Sequence, residues 1–246
     1  MILIKLGGSI ITNKEKPLTP RIAAINKIAR QLRKINEPLV IVHGGGSFGH
    51  YWSVRFDMHT KPSRYNLRGV SIIKNSMVHL DKIILDCLSK NRLEPYCLPP
   101  SNFMRGERPI PSKIAEIEKI AQSHLVPVTY GDALWYGNKK TYILSGDRIM
   151  SILAKSLRPR LSIFVLNVDG LFSDLKTKKL IRHMKRDRIS IEEIPMDVTG
   201  GMRRKVQEAT KISRMGLRVF FVNGNKPQRI VDAVQKAKFD GTVFGV

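Results

Sequence analysis

The 246-residue chain sets 43 Lys and Arg against 20 Asp and Glu, a formal net charge of +23, with hydrophobic residues at 42% and aromatic residues at 7%. That balance excludes a disordered chain and suits one sizeable α/β domain with an Ile, Leu and Val core, while the charge favours anions without choosing among phosphorylated metabolites, ATP and nucleic acid. No apolar run approaches the roughly 20 residues of a membrane span, MILIKLGG reads as a strand rather than a signal sequence, and Cys87 and Cys97 lack the spacing of a zinc site or disulfide scaffold, so a cytoplasmic chain with free thiols and no protein-held metal is expected.

Residues 2–6 (ILIKL) read as an apolar strand ended by Gly7-Gly8-Ser9, and Ile22, Ile25, Ile28, Leu32 and Ile35 then recur at helical spacing. Pro38 opens a second apolar strand, LVIV at 39–42, of the kind that a parallel sheet buries on both faces, and it runs into the glycine loop HGGGSFGH. Val70, Ile73, Met77, Leu80, Ile84 and Cys87 predict a long amphipathic helix over 68–88, followed by a strand near 94–98. Ile114, Ile117, Ile120 and Ala121 mark another helix, VPVTYGD (126–132) a strand, and Gly137-Asn138 a hairpin within 133–144. Ser145-Gly146-Asp147 closes that hairpin and caps a helix over 148–157.

The alternation continues with strand 161–166, helix 202–215, strand 217–222, helix 227–237 and a last strand at 242–245. The stretch 173–195 departs from it: a basic hairpin or loop excursion with Lys176, Lys178, Lys179, Arg182, Lys185, Arg186 and Arg188. The economical architecture is an open, mainly parallel central sheet sandwiched between helices.

Three glycine-rich turns, at 7–9, 44–49 and 200–201, are expected at strand ends, where bare backbone N–H groups and helix N-termini bind phosphate. Gly44-x-Gly46-x-x-Gly49 matches the dinucleotide fingerprint formally, yet residues 60–72 hold no acidic residue for the ribose, and no GxxxxGK[ST] motif occurs. The phosphate-handling fold is therefore of another kind. Lys5 is the most informative lysine, because an ammonium inside a short apolar strand must find an anion or water. Lys14 past the first glycine turn and Lys205 early in a helix are further candidates.

Lys5-Leu6-Gly7-Gly8-Ser9 with Lys14, His43-Gly44-Gly45-Gly46, Tyr130-Gly131-Asp132, Ser145-Gly146-Asp147, Val168-Asp169-Gly170, and Asp197-Val198-Thr199-Gly200-Gly201-Met202 with Lys205 together resemble the ordered motifs of the amino acid kinase superfamily, over about residues 2–246. His50, closing GGGSFGH, is similar to the histidine that sets the isopentenyl phosphate kinase and fosfomycin kinase branches apart. The resemblance implies a single domain, 1–246, with an acceptor-phosphate lobe at 1–160 and a nucleotide lobe at 161–246, acting as a homodimer on ATP with Mg2+. It implies direct in-line phosphoryl transfer to isopentenyl phosphate in isoprenoid precursor synthesis, or to another small phosphate or phosphonate such as fosfomycin.

By the same resemblance Lys5, Lys14, Asp147 and Lys205 are catalytic, Asp147 orienting Lys5 and Lys205, and Gly45, Gly46 and His50 hold the acceptor phosphate. Lys5, Gly7, Gly8, Ser9, Asp169, Gly170, Thr199, Gly200, Gly201 and Lys205 meet the phosphoryl group and ATP. Ile73, Met77 and Leu80 are a candidate apolar wall whose helical spacing equally suits plain core. Leu166-Asn167 replaces the Thr-Asp of many relatives beside the nucleotide. The rival class is a non-catalytic basic nucleotide- or nucleic-acid-binding protein, favoured by the charge, the 176–188 run and Arg203-Arg204; the lack of an aromatic-rich basic strand for stacking bases counts against it.

Overall fold

The computed structural model describes residues 1–64, 66–174, 176–177, 179–184, 200–236 and 239–245. In chain order its elements are β1 (Ile2–Leu6), α1 (Gly8–Ile11), α2 (Ile22–Leu32), β2 (Leu39–His43), α3 (Gly46–Arg55), β3 (Ser63–Arg64), α4 (Leu67–Lys90), β4 (Pro95–Cys97), β5 (Met104–Arg105), β6 (Arg108–Pro109), α5 (Pro111–Gln122) and β7 (Val126–Tyr130). There follow β8 (Asp132–Gly137), β9 (Lys140–Leu144), α6 (Gly146–Leu157), β10 (Leu161–Leu166), β11 (Leu171–Asp174), β12 (Lys179–Ile181), β13 (His183–Met184), α7 (Gly200–Arg214), β14 (Val219–Asn223), α8 (Gln228–Gln235) and β15 (Gly241–Phe244).

Eight strands make the central sheet in the order β13-β15-β14-β10-β1-β2-β7-β4. From β14 to β4 every pairing is parallel, while β15 runs antiparallel to β14. The expected open, mainly parallel sheet is therefore present. β1 lies in the middle, paired with β2 on one side and β10 on the other, so the chain leaves it in one direction and later returns to its opposite flank. Open α/β sheets form their ligand crevice beyond the strand C-termini at such a reversal.

Each face of the sheet carries its own apolar layer. Ile2, Ile4 and Leu6 of β1 with Leu39 and Ile41 of β2 pack with Ile25, Ile28 and Leu32 of α2 and Met77, Leu80 and Ile84 of α4. Leu3, Val40 and Val42 face the other way, with Ile149 and Leu153 of α6 and Val206 and Ile212 of α7. Because strand side chains alternate, Lys5 must join Leu3 on the α6/α7 face, and His43 must join Leu39 and Ile41 on the α4 face. Those two assignments decide the chemistry of the site.

Two local readings change. The stretch after Gly45 is the helix α3 rather than a continued glycine loop, with buried Phe48 anchoring it and Ser76 Oγ donating to Phe48 O at 2.7 Å. The β8–β9 turn falls on Asn138-Lys139, both at positive φ (49° and 57°), one residue later than the Gly137-Asn138 signal. Such two-residue turns need left-handed backbone at both positions, and Gly137 instead pairs with Lys140 beside a bulge. In the basic excursion β11 and β12 form the expected hairpin, and β13 joins the central sheet beside β15. Lys178, Lys185, Arg186 and Arg188 lie outside the described residues, as do Asp197, Val198 and Thr199.

Candidate active site

Two glycine turns meet at the C-termini of β1 and β2. A Cβ on Gly8 would stand 2.5 Å from Gly46 N and 2.6 Å from Gly46 Cα, so only glycine lets the turns close backbone against backbone. Gly46 itself has φ +47°. Thr12 ties the pair together, donating from Oγ1 to Gly8 O at 2.8 Å and accepting from Ser47 N at 2.9 Å. Gly131 N donates to His43 O at 3.1 Å, which brings the end of β7 into the same corner.

Lys5 enters this corner from below and is 3% exposed. Its Nζ lies 2.8 Å from Asp147 Oδ1, and Lys205 Nζ lies 3.8 Å from Asp147 Oδ2. Lys205 also donates to Gly201 O at 2.9 Å, folding back onto the first turn of its own helix. Asp147 is held there by helix α6, whose N-cap Ser145 accepts from Arg148 N at 3.2 Å. Burial opposes ionisation of Asp147, but Lys5 and Lys205, aided by Arg204, outweigh it and hold the carboxyl below its ordinary range. At Lys205 burial, reinforced by Lys5, pushes the ammonium down to about 8, against the pull of Asp147. Among the described residues the result is two cations on one carboxylate, a net positive centre.

The other expected residues distribute around it. Ser9 Oγ donates to Asn167 Oδ1 at 3.2 Å, and Asn225 Nδ2 donates to Asn167 O at 3.2 Å, so the departure at position 167 is part of a polar bridge across the β1 and β10 ends. Lys14 is exposed and close enough to Lys205 to add to the lowering of its pKa. Asp169 is engaged by Asn223 Nδ2 at 2.8 Å, Arg229 Nη1 at 2.5 Å and Lys226 Nζ at 3.3 Å. The Asn223 hydrogen bond, then Arg229 and Lys226, hold its carboxyl low against a modest opposing effect of burial. Gly170, at φ +156°, lies where a Cβ would meet Thr242 Oγ1 at 2.5 Å. Gly45 caps α3, and His50 is exposed on that helix. Gly7 caps α1, and Gly200 and Gly201 open α7.

Ile73, Met77 and Leu80 are core, at most 1% exposed. Met77 nonetheless reaches the second glycine turn, since its Sδ lies 3.1 Å from where a Cβ on Gly45 or Gly49 would sit. Two polar groupings escaped the motif reading. His43 Nε2 lies 3.1 Å from Asp81 Oδ1, and Cys97 Sγ donates to Asp81 Oδ2 at 3.2 Å. Lys74 pairs with Asp132, whose pKa burial raises despite that ammonium. Asp81 interrupts the apolar stripe between Met77 and Ile84, the same kind of signal that Lys5 gives in β1. Among the described residues no group of three or more His, Cys, Asp and Glu could hold a metal ion, and no helix is long and apolar enough to cross a membrane.

The family model of the amino acid kinase family matches residues 1–223. An isopentenyl phosphate kinase of Thermoplasma acidophilum is 32% identical over 99% of this chain and 100% of its own length. One from Methanocaldococcus jannaschii is 28% identical over 95% of each chain. The crystal structure of the T. acidophilum isopentenyl phosphate kinase product complex superposes with a TM-score of 0.83 at 31% identity, covering 99% of both chains.

Proposed function

The chain belongs to the amino acid kinase family, and from that premise we propose that it transfers the γ-phosphoryl group of ATP to isopentenyl phosphate, giving isopentenyl diphosphate and ADP. The observation that carries the reading is the Lys5–Asp147–Lys205 centre beside the joined Gly8 and Gly44–Gly46 turns. The similarity to isopentenyl phosphate kinases along nearly the whole chain supports the acceptor.

A phosphate monoester has its second pKa near 6, so the attacking oxygen is ionised at neutral pH and needs no general base. The barrier lies in holding two polyanions together while charge spreads over the transferred group, and preorganised cations and N–H donors lower it. Lys5, rooted in the sheet, meets the transferring group, with Gly7, Gly8 and Ser9 lining it and Lys14 approaching from the exposed side. Lys205 and the α7 N-terminus at Gly200 and Gly201, with Thr199 preceding them in sequence, take the ATP phosphates, and Asp169 and Gly170 shape the nucleotide side. Asp147 keeps both ammonium groups oriented and lowers their mutual repulsion. Gly45, Gly46 and His50 receive the acceptor phosphate.

Among the described residues the one carboxylate at the centre, Asp147, is engaged by Lys5 and Lys205. The residues therefore fit Mg2+ that arrives on ATP phosphate oxygens rather than in a protein cage, and when bound it would offset phosphate charge. The division into an acceptor lobe (1–160) and a nucleotide lobe (161–246), a homodimer and a cytoplasmic location complete the proposal on the family likeness. Incubation with Mg-ATP and isopentenyl phosphate, read by 31P NMR, tests it: a new diphosphate doublet pair beside ADP is expected, and ADP without that product refutes the acceptor.

A further inference from the structure

His43 is fully buried at the end of β2, one residue before the acceptor turn. Its ring stacks on Tyr130, with centroids 5.2 Å apart. Both ring nitrogens face acceptors, Nε2 facing Asp81 Oδ1 at 3.1 Å and Nδ1 facing Gly44 O at 3.2 Å, so both contacts are hydrogen bonds only with Nδ1–H donating to Gly44 O and a second proton held between Nε2 and Asp81. Asp81 accepts from Cys97 as well, and one turn earlier on α4 Ser76 donates to Phe48 O while Met77 Sδ occupies the space beside Gly45 and Gly49 where a Cβ would stand. α4 thus braces the acceptor turn from its buried side.

The contact to Gly44 O has a geometric consequence. A trans peptide is planar, with its C=O and N–H antiparallel, so holding Gly44 O against the ring turns the Gly45 N–H away from it. Gly45 lies between β2 and α3, and among the described residues its N–H donates to nothing. A half-buried backbone donor with no partner in the protein stands open to water or to a ligand acceptor.

We propose that His43 is a positioning residue for the acceptor phosphate: anchored by Asp81, it holds the Gly44 carbonyl and so aims the Gly45 N–H at a phosphate oxygen. The inference rests on the acceptor reading for the identity of the phosphate, but not for the orientation of the turn.

Two isosteres separate the ring's contacts. The amide nitrogen of Asn superposes on Nδ1, and that of Gln on Nε2. His43→Gln keeps the donor to Asp81 and loses Gly44; its KM for isopentenyl phosphate should rise about tenfold with the KM for ATP little changed. His43→Asn combined with Asp81→Asn keeps the Gly44 contact and leaves no orphan carboxylate; its acceptor KM should stay within about threefold of the parent. The reverse pattern, or equal rises in both KM values, overturns the proposal. A variant-free arm uses 15N-glycine-labelled protein titrated with inorganic phosphate and with isopentenyl phosphate. The Gly45 amide resonance should shift with either ligand, and a Gly45 signal unmoved by both overturns the proposal. Loss of isopentenyl phosphate turnover in the parent protein alongside a Gly45 response to inorganic phosphate would fault the acceptor reading and leave this one standing.

Discussion

Replacing Asp147 by Asn removes the carboxylate between two ammonium groups while keeping its shape. At the observed 3.8 Å separation from Lys205, a unit charge pair is worth about 4 kcal/mol at an effective dielectric of 20. Both side chains keep some exposure, 18% for Lys205 and 10% for Asp147, and screening reduces the contribution to about 2 kcal/mol, or about 1.5 pKa units. Lys205, already pushed down to about 8 by burial and by Lys5, should then titrate lower still, by about 1.5 units at roughly one unit per 1.4 kcal/mol. The kcat/KM for ATP reports the free enzyme, so its basic limb gives the Lys205 titration directly. A coupled ADP-release assay from about pH 5.5 to 9.5 should place the limb near 8 in the parent and about 1.5 units lower in Asp147→Asn, an about thirtyfold deficit on the alkaline side. A limb that stays in place, or moves up, would refute the role given to Asp147.

Other outcomes follow from the same geometry. His50→Ala should lower kcat/KM for the acceptor by about 1.5 to 3 kcal/mol if the imidazole donates to phosphate, with the KM for ATP unchanged; steady-state kinetics with each substrate varied checks this. Gly8→Ala places a methyl 2.5 Å from Gly46 N, forcing the two turns apart; a stability loss of about 1 to 3 kcal/mol in urea titration should accompany near-complete loss of acceptor use. Lys205→Met should abolish ATP use yet raise Tm at neutral pH. The folded-state pKa of Lys205 lies at about 8, below its ordinary 10.5, so its protonated form burdens the fold fully below about pH 8 and the burden fades progressively from there toward pH 10.5, above which both states are neutral. The Tm advantage of the variant should therefore shrink between pH 7 and 9.5 in paired thermal melts. Arg229→Ala frees Asp169 from its tightest partner and should weaken ATP binding, measured by calorimetry, more than acceptor binding.

The sheet was legible because its strands are almost wholly apolar and the helices between them keep their periods. Lys5 stood out as the charged residue in β1, and its neighbours on the α6/α7 face followed from strand alternation. His43 did not stand out, since a histidine at a strand end before three glycines reads as the start of a loop. Its partner Asp81 was visible as a break in the α4 stripe but had no known target until β2 and α4 were placed against each other. α3 was hidden by glycines at 44, 45, 46 and 49, whose low helix propensity was overridden by the burial of Phe48 and its bond from Ser76. The engagement of Asp169 by Asn223, Lys226 and Arg229 joins residues more than fifty positions apart, which no local pattern encodes.

The central claim concerns the acceptor, and a competition panel measures it most directly. Initial rates of ADP release from Mg-ATP are recorded with isopentenyl phosphate, fosfomycin and UMP, each over a range of concentrations. The account predicts kcat/KM for isopentenyl phosphate at least about a hundredfold above the other two; comparable or better turnover of fosfomycin or UMP would contradict it.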